Sequence, residues 1–229
     1  QITVDNTQTP TELVPDVLLG AGISVSNVTF SGGADQRGTF SGTSNIGISD
    51  GIILATGDIS VAVGPNDATS ESDGGGTAGD TDLENLVGNT TYDAAVLEFD
   101  FIPSSDTVRF FYVFGSEEYP EYVCSNFNDV FAFFLSGPNP AGGSYVNENI
   151  AKIPGTTTPV AINSINPGVV GSFGTPGGCI SLAYSSLYVD NTGGTTIQYD
   201  GFTTVLEASA LVEACETYHI KIAIADVMD

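Results

Sequence analysis

Apolar and polar positions alternate along most of the chain, and the alternation predicts strands. Residues 95–102 set Leu97, Phe99 and Phe101 against Val96, Glu98 and Asp100, the period-two pattern of a half-buried strand. Tyr218, Ile220, Ile222 and Ile224 share one face of a closing strand, with His219 and Lys221 on the other. Residues 108–114 and 130–135 are nearly continuous apolar runs, which predicts central strands buried on both faces. Residues 23–30 alternate with a slip at Asn27, as a bulged strand does. Residues 51–56 hold the short run Ile52-Ile53-Leu54, and residues 195–206 predict a hairpin about Asp200-Gly201.

One helix start is legible. Thr9 is placed to N-cap, Pro10 to sit at N1 and Glu12 at N3 in a capping box, with Leu13, Val17 and Leu18 as the apolar face. Gly20 and Gly22 are expected to end it. Long loops are expected at 64–80, 136–144 and 166–178, rich in Gly, Ser, Pro, Asp or Asn. No internal repeat or linker interrupts the pattern. The expected fold is a single all-β domain over 1–229, a β-sandwich or jelly-roll-like domain with one short N-terminal helix and long loops.

Charge changes the picture most. The chain carries 28 acids against four bases (Arg37, Arg109, Lys152 and Lys221), a formal charge of -24. A nucleic-acid partner needs a basic footprint, which is missing, and an anionic membrane surface would repel the chain. A compact fold with this self-repulsion gains from counter-ions, and calcium favours carboxylate and carbonyl oxygens. The plainer account is a solvated acidic surface. No stretch is long and apolar enough to span a membrane as a helix. Gln1 is compatible with a terminus left by signal cleavage, and equally with a boundary imposed on a longer chain.

Three cysteines, Cys124, Cys179 and Cys215, form no CxxC pair, and a single histidine leaves little for a zinc site. One disulfide and one unpaired thiol in an oxidising compartment is the simplest account. Three pairings are open, of which Cys124–Cys179 is the expected one. His219 lies within a strand beside Lys221 and reads as a surface residue, not a general base. No phosphate loop or dinucleotide fingerprint is present, so no enzyme activity is expected.

Acidic clusters are the candidate chemistry. Asp80-Thr81-Asp82-Leu83-Glu84 spaces three carboxylates two apart, without the glycine and terminal glutamate of an EF-hand. Glu117-Glu118 follows one apolar run and Asn128-Asp129 precedes another. Were those two strands neighbours, the four side chains would share one rim of the sheet as a cation cage. The alternative is an acidic loop kept in water. Tyr119, Tyr122 and Tyr145 stand in expected loops, where aromatic rings stack on sugars or anchor protein contacts. Packing beneath the loops is the competing account.

The stretch 114–138, from Phe114-Gly115-Ser116-Glu117-Glu118 to Asn128-Asp129-Val130-Phe131 and Gly137-Pro138, resembles the choice-of-anchor L domain family. So do 51–57, 149–160, 199–206 and 217–226, which together cover nearly the whole chain in order. Members occur in large exported bacterial proteins, often of the Bacteroidota, with varied C-terminal anchors. The resemblance implies an extracellular or cell-surface module, an adhesin, and no known catalysis. The motif positions carried over are Glu117, Glu118, Asn128, Asp129 and Asp226. With Asp82 they form the expected Ca2+ ligand set, assigned from charge and spacing. The expected partner is a glycan or protein on another surface, met by the loops at 64–82, 119–126 and 139–149. The family pattern continues into a further strand past Asp226, so truncation before the last strand is expected. An open sheet edge and self-association, as in a filament-like subunit, form the alternative. A carboxylate-dependent glycoside hydrolase ranks below both, and would need a deep cleft with a carboxyl of raised pKa.

Overall fold

The computed structural model describes residues 1–19 and 23–228. It is mostly antiparallel sheet, arranged as a sandwich. Strands are numbered along the chain. The main sheet runs, in space, β2 (Ser24–Ser31), β5 (Thr91–Ile102), β13 (Tyr218–Val227), β8 (Val130–Pro138) and β9 (Ser144–Asn149). Its three central strands bury both faces. Leu97, Phe99, Phe101, Phe133, Leu135, Tyr218, Ile220 and Ile222 enter the principal core. Val96, Ala132, Phe134, Ala223, Ala225 and Val227 face the other way, onto Leu83. The slip in 23–30 is a break in the β2–β5 register between Ser26 and Thr29, where Asn27 has φ 54°. β13 is paired on both sides, so the edges of this sheet are β2 and β9.

Against the principal face lies β6 (Thr107–Tyr112), laddered to β12 (Leu206–Leu211). The run 108–114 is therefore not a central strand buried on both faces. Val108, Phe110 and Tyr112 point inward, while Phe111 is 63% exposed. A strand with one ladder partner and one covered face needs apolar residues only at alternate positions, and Phe111 disguised that alternation.

β1 (Ile2–Asp5), β3 (Arg37–Gly42) and β4 (Asp50–Leu54) form a small sheet over a core that includes Ile2, Ala62, Ile197 and Phe202. β7 (Gly115–Ser116), β10 (Tyr188–Asp190) and β11 (Gly201–Thr203) form another, with β11 central. Asp200-Gly201 is accordingly not a hairpin turn. Asp200 accepts a hydrogen bond from Asn66 Nδ2 at 2.9 Å. Gly201 opens β11 where a Cβ would stand 2.6 Å from the Tyr188 ring, so close packing explains the glycine.

The helix start is where the pattern puts it. α1 (Pro10–Leu13) begins after Thr9, and Glu12 Oε2 accepts from the Thr9 N–H at 2.8 Å. The helix continues as one π turn over Val14–Leu18, and the expected stop at Gly20 and Gly22 falls outside the described residues. A second helix, α2 (Thr81–Val87), occupies what reads in the sequence as acidic loop. Asp80 N-caps it, accepting from the Asp82 and Leu83 N–H groups at 3.1 Å each, and Gly88 ends it at φ 76°. Cys124 and Cys179 form the disulfide, and Cys215 is free and exposed.

Candidate functional site

Register brings the acids together. In the main sheet Asp226 lies opposite Tyr92, and Ala225 opposite Val130. The end of β13 thus meets the start of β5 and the start of β8, which gathers Asp93, Asp129 and Asp226 at one end of three adjacent strands. Glu117 and Glu118 reach the same place from the segment after β7. The two apolar runs are not ladder neighbours, contrary to the arrangement that motivated the rim, because β6 and β8 belong to opposed sheets. Face-to-face packing closes the gap instead. The Ser116 hydroxyl donates to Asp129 Oδ2 at 3.0 Å and accepts from the Glu118 N–H at 3.0 Å, and the Val227 N–H donates to Asp129 Oδ1 at 3.3 Å.

The result is a cleft of about 220 Å³ lined by Asp58, Glu71, Asp73, Asp93, Glu117, Glu118, Asp129 and Asp226, with Tyr199 among its other walls. No Lys, Arg or His lines it. Several acids are fixed by local bonds. Asp58 Oδ1 accepts from the Ser60 N–H at 2.8 Å, and Asp93 Oδ1 from the Thr77 N–H at 2.6 Å. A Cβ on Gly57 would stand 2.1 Å from the Asp73 carbonyl oxygen, so only glycine lets that loop lie down against the wall.

Glu117 is the most perturbed carboxyl. Burial first, then the charges of Asp200 and Glu71, push its pKa up to about 7. The Glu71 N–H, 3.4 Å from Oε2, and the Gln198 side chain offset only part of that cost. Tyr199 is raised as well, by burial and then by Glu117 and Asp226. Among the described residues, no three His, Cys, Asp or Glu side chains stand close enough to hold a metal as placed.

Two residues expected in the ligand set lie elsewhere. Asp82 is on α2, where Lys221 Nζ donates to it at 2.7 Å and to Asp80 at 2.6 Å. Burial raises the Asp82 pKa, but Lys221 and Asn147 outweigh it and hold the carboxyl below its usual range. Asn128 is buried, and its Oδ1 accepts from the Asn163 N–H at 2.7 Å, a loop-fixing role. Asp58, Glu71, Asp73 and Asp93 line the cleft without belonging to the expected ligand set. Asp93 lies before the alternating stretch at 95–102, so the pattern leaves it outside the strand, and its φ of 49° marks it in the structure.

The aromatic candidates separate similarly. Tyr119 is fully buried, donates to the Ile165 carbonyl at 2.6 Å and packs on Tyr188, so it is a core residue. Tyr145 donates to the Leu211 carbonyl at 3.1 Å, tying β9 to β12. Tyr122 stacks on Phe173 at 4.9 Å, and Phe173 is 64% exposed. His219 sits between Asp100 at 2.8 Å and Glu98 at 3.0 Å on the β5–β13 ladder. Burial lowers its pKa, but these two carboxylates outweigh that and hold it above the usual value.

A bulged antiparallel sandwich with an acidic cleft at one end of its main sheet defines the class. The chain belongs to the Choice-of-anchor L domain family, whose model matches residues 2–229. Membership suggests a surface-exposed or secreted bacterial protein. Among the described residues no helix is long and apolar enough to cross a membrane. No curated protein and no solved structure matches the chain significantly.

Proposed function

We propose that this domain is an extracellular recognition and adhesion module whose acidic cleft takes calcium. The observation that carries the reading is the convergence of eight carboxylates from separate segments on one cleft that no cation lines. Glu71 and Asp73 belong to the long loop before α2, and Glu117 and Glu118 to the segment after β7. A calcium ion, with its flexible shell of oxygen ligands, would draw these segments together and relieve their repulsion. Calcium concentration then sets the order of the loops, and through them affinity for a glycan or protein. Tyr122 and Phe173 supply a stacked aromatic pair for such a partner.

Thermal melts in calcium and in chelator, paired with metal analysis of the protein as purified, test this. At calcium about a hundredfold above Kd the gain is roughly 2.7 kcal/mol, or on the order of 5–10 °C for a chain of this size. Asp73→Asn should lower Tm in calcium and barely change it in chelator. Equal losses in both conditions would remove the cation from the account.

A second reading has one observation in its favour. A carboxyl with pKa about 7 in a cleft of acids is what a general acid of glycoside hydrolysis requires. Reducing-end release from a polysaccharide panel, lost in Glu117→Gln, would replace the calcium reading with that one.

A further inference from the structure

The second layer of the sandwich is incomplete. A groove of about 410 Å³ lies between β4 and β6, floored by residues of the main sheet such as Phe133, Ile222 and Ile224. Consecutive residues of both strands line it: Asp50 through Leu54 on β4, and Arg109 through Tyr112 on β6. Side chains alternate between faces along a strand, so a cavity against a sheet face meets every second residue. Contact with every residue in turn means that the groove abuts strand edges. Among the described residues neither edge has a ladder partner, since β4 ladders only to β3 and β6 only to β12. Apart from Asp50, Arg109 and the two tyrosines Tyr112 and Tyr199, the lining side chains are apolar, with Val17 and Leu18 of the π turn among them, and Phe111 stands 63% exposed at β6.

We propose that this groove binds an extended segment of a separate polypeptide, which adds as a strand between β4 and β6. Two unpaired strand edges present rows of N–H and C=O groups that only an extended backbone can satisfy on both sides. The apolar floor selects alternating apolar side chains on the inward face. The inserted length is about five residues, roughly 17 Å, matching β4. Charge decides the source. A second copy of this chain would bring another -24 to a domain already carrying -24, whereas a segment with Lys or Arg flanking its apolar residues is drawn in by the same field. The complete layer would then read β1-β3-β4-strand-β6-β12. The groove adjoins the cation cleft, sharing Phe114, Gly115, Tyr199 and Ile224 with it, but none of the cleft's eight carboxylates lines the groove, so the two readings are tested separately.

The test is to pan a displayed library of random nine-residue peptides against the full chain, synthesise the strongest binder and map amide exchange with and without it. Selected sequences should alternate apolar and polar residues and carry basic flanks. Binding should slow exchange at β4 and β6 together by at least tenfold. Phe111→Lys, at an exposed position dispensable for folding, should weaken binding at least tenfold while leaving Tm unchanged. No enrichment, binders without alternation, binding that leaves either edge unprotected, or undiminished binding to Phe111→Lys would overturn the proposal. So would concentration-dependent dimerisation of the chain alone that protects the same amides, since the occupant would then be a second copy.

Discussion

Glu117 shows what its neighbours do to a single carboxyl. Unfolded, it would lose its proton near the ordinary value of 4.5; folded, it holds it to about 7. The folded state therefore binds more protons between those values, and stability falls as pH rises from about 4.5 to about 7, then levels. In chelator, Glu117→Gln should match the parent at pH 4 and exceed it at pH 8 by about 1–2 kcal/mol, after discounting for the solvent that still reaches the side chain. Urea midpoints at the two pH values give the answer, and a pH-independent difference would mean that Glu117 ionises normally. At this scale the sequence is legible mainly where a residue's neighbours in space are also its neighbours in the chain, the Cys124–Cys179 bridge across 55 residues being the exception. Thr9 and Glu12 are three apart and their contact was predictable. Asp82 and Lys221 are 139 residues apart, so nothing in the local spacing separated an ion pair from a metal ligand.

Elements were legible where one face alone is buried or where both are. β8 matches its pattern because a continuous apolar run records burial on both faces directly, whereas β5 and β13 read as apolar on one face and also bury Val96, Ala223, Ala225 and Val227 on the other, against Leu83. β6 misled because Phe111 is apolar and exposed, and the strand-addition groove offers a reason for it to be so. α2 hides in its acids: Asp80, Asp82 and Glu84 read as an acidic cluster, but they are the N-cap and first-turn acids that a helix N-terminus favours. The loops on either side of the disulfide form no strand or α-helix, only one 3-10 turn at Pro176–Gly178, yet they are stitched. Gly171 and Phe173 donate to the Val123 and Glu121 carbonyls, at 3.0 and 2.9 Å, and Thr175 donates to Cys124 at 2.9 Å. The bridge spans 55 residues, and closing a loop of that length restricts the unfolded chain by about 4 kcal/mol in the chain-entropy account. Cys124→Ser with Cys179→Ser should cost roughly 2–5 kcal/mol in urea unfolding. A loss under about 1 kcal/mol would place the stability of these loops in their backbone bonds instead.

Over the whole molecule, self-repulsion is the term that local structure cannot remove. A charge of -24 on 229 residues raises the free energy of the compact state, and salt weakens that repulsion as the Debye length shrinks from about 30 Å at 0.01 M to about 10 Å at 0.1 M. In chelator, raising NaCl from 10 mM to 0.5 M should therefore raise Tm by several degrees, most of it below 0.1 M. Calcium adds to this in a way that separates two accounts of the acidity. A diffuse ion atmosphere is replaced by sodium, so its calcium response would vanish at 0.5 M NaCl. An ion held by cleft oxygens is screened much less, so its response persists. Magnesium, which demands a small octahedral shell and gives up water reluctantly, should reproduce little of it. A calcium response that survives 0.5 M NaCl and exceeds that of magnesium locates the effect in the cleft. One that disappears with salt, or that magnesium matches, returns the charge to the surface as solvation and removes a bound ion from the account of the domain's stability.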